Sequence, residues 1–203
     1  MSVQLTSFMV WGANIIGHRW ITLMSRVIEK SGRYVVAMIW EVLGKLNLDG
    51  VTQINFWSDC GPQFKNVEVL GTAGILVPQK YHVDAGVFFG PDEHLKHRVD
   101  GFFRKLKFLM KQEALRRWLS NIDDVEEIFT ADFKERRKLD ADIVSEEYFN
   151  FMPGNKKDIP LVALKKTRCR SRLLHAGLGV SCKWNGSAKA TLVVSQGMTR
   201  RLL

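Results

Sequence analysis

Ile54-Asn55-Phe56-Trp57-Ser58-Asp59-Cys60-Gly61-Pro62-Gln63-Phe64-Lys65-Asn66 is the stretch that decides the fold. An apolar run ends in a carboxylate, and Gly-Pro follows at once. Proline suits the first position of a helix, where its missing N–H would have no partner. The sequence therefore predicts a buried strand with Asp59 at its carboxyl end, just before a helix N-terminus. Open α/β sheets place ligands and chemistry at that position.

Working outward, Val3 to Val10 reads as a short strand, left at Trp11 to Asn14. Ile21 to Leu46 reads as mostly helical, because Leu23, Val27, Ile28, Val35, Ile39, Val42, Leu43 and Leu46 recur at three- and four-residue spacing. Ser31-Gly32 is the place where that helix would break. Asn47 to Gly50 is a turn, and Val51 to Trp57 is the strand that leads to Asp59. Gln63 to Val77 is a weaker helix, stopped by Pro78. Tyr81 to Phe89 is another strand, rich in aromatic and β-branched residues. Gly90-Pro91-Asp92-Glu93 begins a helix that runs to about Leu119, with Leu95, Val99, Phe102, Leu106 and Leu109 on one stripe. The order strand, helix, strand, helix, strand, helix predicts an α/β fold.

Residues 121–149 are dense in charge, with apolar residues recurring among them, so a helix or helix pair with a solvated face is expected. Phe151 to Pro160 reads as a linker. Asn185-Gly186 between Val180 to Trp184 and Ala190 to Val194 is a hairpin signal. Three regions follow: 1–120, a charged helical segment over 121–150, and a linker with a basic tail over 151–203.

Charge separates these regions. The chain has a net charge of +9, yet residues 1–158 hold 21 Lys/Arg against 21 Asp/Glu. The last 45 residues hold nine cations and no acid. Lys165, Lys166, Arg168, Arg170 and Arg172 form their densest run. A neutral body with a basic tail points to a polyanion, most simply DNA. No apolar run nears the roughly 20 residues that span a bilayer, so no membrane partner is expected. The start shows no secretory leader. Three scattered cysteines, Cys60, Cys169 and Cys182, fit free thiols in a reducing compartment. His94 and His97, three apart beside Asp92 and Glu93, lack an evident further metal ligand, and Cys169, His175 and Cys182 fit no usual zinc spacing. The tryptophans read as packing residues, with Trp184 beside Lys183 able to stack on a base.

Asp100 falls 41 positions after Asp59, within the strong helix, with Lys96, Arg104, Lys107 and Lys111 at helical spacing. Its bland reading is a surface acid paired with Arg104. Trp57 to Asn66 resembles the second-carboxylate motif of the DDE/DDD transposase–integrase superfamily, and Asp100 to Lys107 resembles its third-carboxylate helix. The Trp-Ser-Asp-Cys-Gly wording is similar to that of fungal Mutator-like elements, a group that includes transposase-derived proteins at mating-type cassettes.

The resemblance implies a ribonuclease-H-like mixed sheet over residues 1 to about 120. It also implies two-metal phosphoryl transfer, with Asp59 and Asp100 as catalytic and metal-holding carboxylates for Mg²⁺ or Mn²⁺. Gln63, Lys65, Lys96, Arg104, Lys107 and Lys111 would contact the DNA strand, with the basic tail beside them. A nuclear protein is implied, either a homo-oligomer or the partner of a longer transposase.

One departure matters. The family's first catalytic Asp lies on an opening strand. Here only Glu29, Glu41 and Asp49 precede Asp59, two of them in the expected helix and one in a turn. The core is therefore expected to be incomplete, lacking that strand and autonomous nuclease activity.

Overall fold

The computed structural model describes residues 2–12, 15–58, 61–89, 96–139, 145–153, 189–196 and 200–201. They build a mixed α/β structure with helices on both faces of a sheet. Strands β1 (Ser2–Gly12) and β2 (Ile15–Ser25) lead into helix α1 (Gly32–Gly44) and strand β3 (Gln53–Ser58). Short helix α2 (Val67–Gly71), a π-helical turn (Thr72–Leu76) and short helix α3 (Val77–Tyr81) precede strand β4 (Asp84–Phe89). Helices α4 (Lys96–Ala114) and α5 (Ile122–Leu139) are followed by strands β5 (Ser145–Asn150), β6 (Lys189–Gln196) and β7 (Arg200–Arg201). The sheet order is β4-β3-β6-β1-β2-β5, with β7 also pairing to β1.

The helix expected over Ile21 to Leu46 is strand at its start, Ile21 to Ser25 belonging to β2, and helix only over α1. β2 lies antiparallel to β1 from Gln4↔Ser25 to Val10↔Arg19. Ile21 and Leu23 enter one core cluster while Met24 enters the other. With both faces covered, the polar alternation that marks a strand is absent, and a continuous apolar run is ambiguous between strand and helix. Gln4 fixes the exit from β2: its Nε2 donates to the Glu29 carbonyl (3.1 Å) and its Oε1 accepts from the Glu29 N–H (2.9 Å). Glu29 thus lies in a connection, outside any helix. The stretch does divide at Ser31-Gly32, where Ser31 caps α1, its Oγ accepting from the Tyr34 N–H at 3.2 Å.

Pro78 does not stop the second helical run. The chain widens to a π turn just before it, with the Val77 N–H bonded back to the Thr72 carbonyl. That widening sits where Pro78 has no N–H to give, so the helix passes through to Tyr81. The run starts late as well. Gly61 to Phe64 form a turn, with Phe64 N–H bonded to the Gly61 carbonyl at 3.0 Å. The helix begins only at Val67, capped by Asn66. A Cβ on Gly32 would overlap the Asn66 carboxamide, so a larger residue there would displace the cap of α2.

Two apolar layers hold the sheet. Phe8, Val10, Ile21, Leu23, Ile54 and Phe56 pack against α1, α2 and α3. On the opposite face Val3, Leu5, Met9, Met24 and Tyr148 pack against Val99, Phe102, Phe103 and Leu106 of α4 and Val125 and Phe129 of α5. Each fully buried side chain of this size contributes about 1.5–3 kcal/mol. The 121–150 segment therefore belongs to the same layered structure as residues 1–120: α5 covers the sheet, and β5 pairs parallel to β2.

The centre of the sheet holds the largest departure from expectation. Part of the expected basic tail enters the sheet: β6 lies between β1 and β3, antiparallel to β1 (Thr6↔Gln196 to Gly12↔Ala190) and parallel to β3 (Gln53↔Lys189 to Ser58↔Val194). Both ladder edges of Ala190 to Val194 are thereby taken, which leaves none for the expected hairpin arm. That arm, Val180 to Trp184, lies outside the described residues, as does the linker beyond Pro153.

Candidate nucleic-acid interface

β3 delivers Ser58, buried, to the position just before Asp59. Asp59 and Cys60 lie outside the described residues, and so does any pairing of Asp59 with Asp100. The expected helix N-terminus at Pro62 is replaced by the Gly61–Phe64 turn, anchored by buried Phe64. Gln63 is half-buried there, and its carbonyl accepts from Asn66 Nδ2 at 2.6 Å. Lys65 is exposed, its Nζ 5.4 Å from the Phe89 ring centre.

The strand ladder also tests the metal reading. Carboxylates that share two ions about 3.5–4 Å apart must come from adjoining elements. β3 has two neighbours, β4 and β6. Asp84, the acid of β4, pairs with Gln53 at the far end, about 17 Å from the Ser58 end at strand rise. β6 contains no acid at all. Asp92 and Glu93, after β4, fall outside the described residues. Among the described residues no three of His, Cys, Asp or Glu come together as a possible cation site. Asp100 is exposed on α4. No ion pair joins it to Arg104, so the expected i,i+4 pair does not form among the described residues. Of the two carboxylates expected to hold Mg²⁺ or Mn²⁺, Asp100 is thus on the described surface and Asp59 lies outside the described residues.

No protein-family model matches the chain, nor does any curated protein or any solved structure.

What the structure does assemble is a cationic helix face. Lys96 opens α4. Arg104 and Lys111 are exposed and Lys107 is half-exposed. Val99, Phe102, Leu106 and Met110 fill the opposite side of the helix and are buried. None of Arg104, Lys107 and Lys111 has a carboxylate within ion-pair distance among the described residues. Lys165, Lys166, Arg168, Arg170 and Arg172 lie outside those residues. No helix among the described residues is long and apolar enough to cross a membrane.

Lys105 has a different fate. Its Nζ lies 3.0 and 3.1 Å from the two oxygens of Glu146, whose side chain is only 4% exposed. Arg136 grips the same carboxylate with two bonds of 2.6 and 3.0 Å. Tyr148 Oη donates to it at 2.6 Å. Asp132 balances the cluster, 2.7 Å from Arg136 and 3.8 Å from Lys105.

Burial pushes the Glu146 carboxyl up, but the donors Arg136, Tyr148 and Lys105 outweigh it and hold the group below its ordinary range. For Lys105 burial wins, and the ammonium is lowered despite Glu146. Burial and the adjacent carboxylate push the Tyr148 phenol up. Two cations and two anions cancel, and every strong donor is directed inward. This is a clamp joining α4, α5 and β5. Glu147, pointing the other way from β5, makes a two-bond pair with Arg19 of β2 at 2.7 and 2.8 Å.

Charge density alone predicts Glu146-Glu147 as solvated surface, and the structure corrects this. The signal that could have found the clamp is alternation: Glu146 and Tyr148 share one strand face, and Tyr148 is apolar enough to mark that face as buried. Trp118 departs in the opposite sense. Expected to pack, it is 80% exposed, while Trp20 stacks on Phe102 at 4.2 Å and Trp57 on Phe88 at 4.6 Å.

Proposed function

We propose that the chain is a non-catalytic DNA-binding protein of transposase–integrase descent, using the outer face of α4 to hold the phosphate backbone. The carrying observation is that Arg104, Lys107 and Lys111 face outward with no carboxylate partner among the described residues, on a helix whose inward lysine is neutralised. Cations of this kind release counterions from a polyanion and give affinity that falls with salt. Backbone contacts fix position and carry no base sequence. Support for the descent comes from the succession α1, β3, α2–α3, β4, α4, which keeps the expected order of helix, strand, helix, strand, helix. A nuclear location follows from that role, and a longer transposase or a second copy would be a partner in it.

Strand cleavage finds less support. It needs a first carboxylate beside Asp59, and neither strand adjoining β3 carries one at that end. The chain would hold DNA where a relative would cut it.

Binding of the full chain to a labelled duplex, measured across about 50–300 mM salt, tests the reading. Replacing Arg104, Lys107 and Lys111 by Ala should flatten the slope of log K against log salt by about 0.9 for each phosphate that these side chains neutralise. An unchanged slope would remove α4 from the interface. Nicking of supercoiled DNA with Mg²⁺ or Mn²⁺, abolished in Asp59→Ala, would restore the catalytic reading.

A further inference from the structure

The end of α4 carries more than charge. Phe108 is 57% exposed, Leu115 90% and Trp118 80%, three of the largest exposed apolar surfaces among the described residues. Arg104, Phe108 and Lys111 follow one another at helical spacing on α4, and Leu115, Arg116 and Trp118 are exposed just past its end. Single apolar residues on a surface need no explanation, but a group of them interleaved with cations does.

This surface is held rigid. α4 finishes at Ala114, and the turn after it is closed by the Arg116 and Arg117 N–H groups on the Glu113 carbonyl, both at 2.9 Å. Arg117 then ties α4 to α5, bonding Glu113 at 2.8 Å and Glu127 at 3.1 Å. Leu119 and Ile122 are buried immediately after Trp118 in the chain. Asp124 Oδ2 accepts from the N–H groups of Ser120 (2.7 Å) and Asn121 (3.0 Å), while Asn121 Oδ1 accepts from the Asp124 N–H at 2.8 Å. Trp118 therefore projects from a turn fixed on both sides.

We infer that Trp118 and Phe108 form a stacking platform for unpaired bases of single-stranded nucleic acid, whose phosphates run along Arg104, Lys107, Lys111 and Arg116; this rests on the phosphate-holding role of α4 proposed above. A polymer of flat rings and anions matches a surface on which two exposed aromatic side chains stand among cations. A second copy of the chain fits worse, because a two-fold contact would set this cationic surface against itself. A lipid surface fits worse too. Phe108 lies within α4, a turn and a half before its end, and Lys111 and Arg116 fall between it and Trp118 in the chain, so the apolar groups are interrupted by cations.

The test compares the full chain and its Trp118→Ala, Trp118→Phe and Lys107→Ala/Lys111→Ala variants on fluorescein-labelled oligothymidylate and on a duplex of equal length. Trp118→Ala should weaken oligothymidylate binding about 5- to 150-fold without altering the salt slope, and change duplex affinity by less than about twofold. Trp118→Phe should keep most of the affinity. Lys107→Ala/Lys111→Ala should flatten the salt slope on both polymers.

Equal weakening on both polymers by Trp118→Ala, or no weakening on either while the lysine variant still acts, overturns the platform and leaves the phosphate reading intact. Absence of salt-dependent binding to either polymer overturns both. Sedimentation with phosphatidylserine vesicles that Trp118→Ala abolishes, with oligothymidylate affinity unmoved, would overturn the platform in favour of a membrane surface.

Discussion

Lys105 and Lys107 are two positions apart on α4 and live in opposite worlds. The first turns inward, burying its charge against Glu146 under the cover of Arg136 and Tyr148. The second stays half in solvent with no carboxylate beside it among the described residues. A count of cations treats them alike. The fold commits one to cohesion and leaves the other on the outer face proposed to hold a polyanion, so a net charge of +9 says less than the helix face on which each charge falls.

The sharpest way to break this contrast is to remove the anion at its buried end. Glu146→Ala leaves Lys105 and Arg136 with only Asp132 between them. Breaking a buried ion pair by deleting one partner costs about 3–5 kcal/mol, and a comparable drop is expected in urea denaturation. The salt slope of DNA binding measured on the remaining folded protein should not move. A drop under about 1 kcal/mol would mean that the cluster behaves as a solvated surface network.

Acid should undo the same clamp more gently. The Glu146 carboxyl is held below its ordinary value in the folded chain, so the folded state keeps its charge where the unfolded chain would take a proton. That contribution is full above the unfolded value, about 4.3, and drains away as pH falls through the depressed folded value. Urea midpoints taken between about pH 6 and pH 3 should drop for the natural chain. In Glu146→Gln the part of that drop due to this group should vanish, and parallel curves would show that other carboxylates dominate.

Next in size comes Lys105→Met. Arg136 and Tyr148 still satisfy Glu146 in this variant, and the Met side chain fills much of the lysine stem's volume. The worth of a hydrogen bond to a charged group, about 1.5–3 kcal/mol, sets an upper range, reduced because burial already disfavours the ammonium. A destabilisation equal to or larger than that of Glu146→Ala would mean that Lys105, and not the carboxylate, is the keystone.

What is legible in the sequence follows the same division between local and distant causes. The strand before Asp59 and the apolar stripe of α4 can be read because each is written within a few residues: Ile54 and Phe56 alternate with half-buried neighbours, and Val99, Phe102 and Leu106 recur at helical spacing. β2 is hidden because two covered faces erase alternation. Pro78 reads as a stop because no local rule announces the π turn that accommodates it.

β6 is out of reach for another reason. Its partners on β1 lie more than about 170 positions earlier, far beyond any window that local pattern reading spans, so its pairing is a property of the slot between β1 and β3 and not of Lys189 to Gln196 alone. Asn185-Gly186 offers a nearby hairpin, and the distant slot takes the strand. Of the candidate site, the cations of α4 are legible as a set. Which of them turns inward, and which acids lie near, is decided only when β5 brings Glu146 under Lys105.

The smallest expected effect is the most diagnostic. Lys107→Met should change stability by no more than about 0.5 kcal/mol, because a surface side chain away from caps and buried networks contributes little. Its effect should appear instead in DNA binding, as a salt slope flatter by about 0.9 on duplex. Set beside Lys105→Met, it forms a crossed pair: one substitution costs stability and spares the slope, the other spares stability and costs slope. If both moved the same quantity, the two faces of α4 would be one electrostatic unit, and the division of labour between neighbouring lysines would fail. The crossed result is expected because the apolar row from Val99 to Met110 separates the buried charge from the outer cations across the body of the helix.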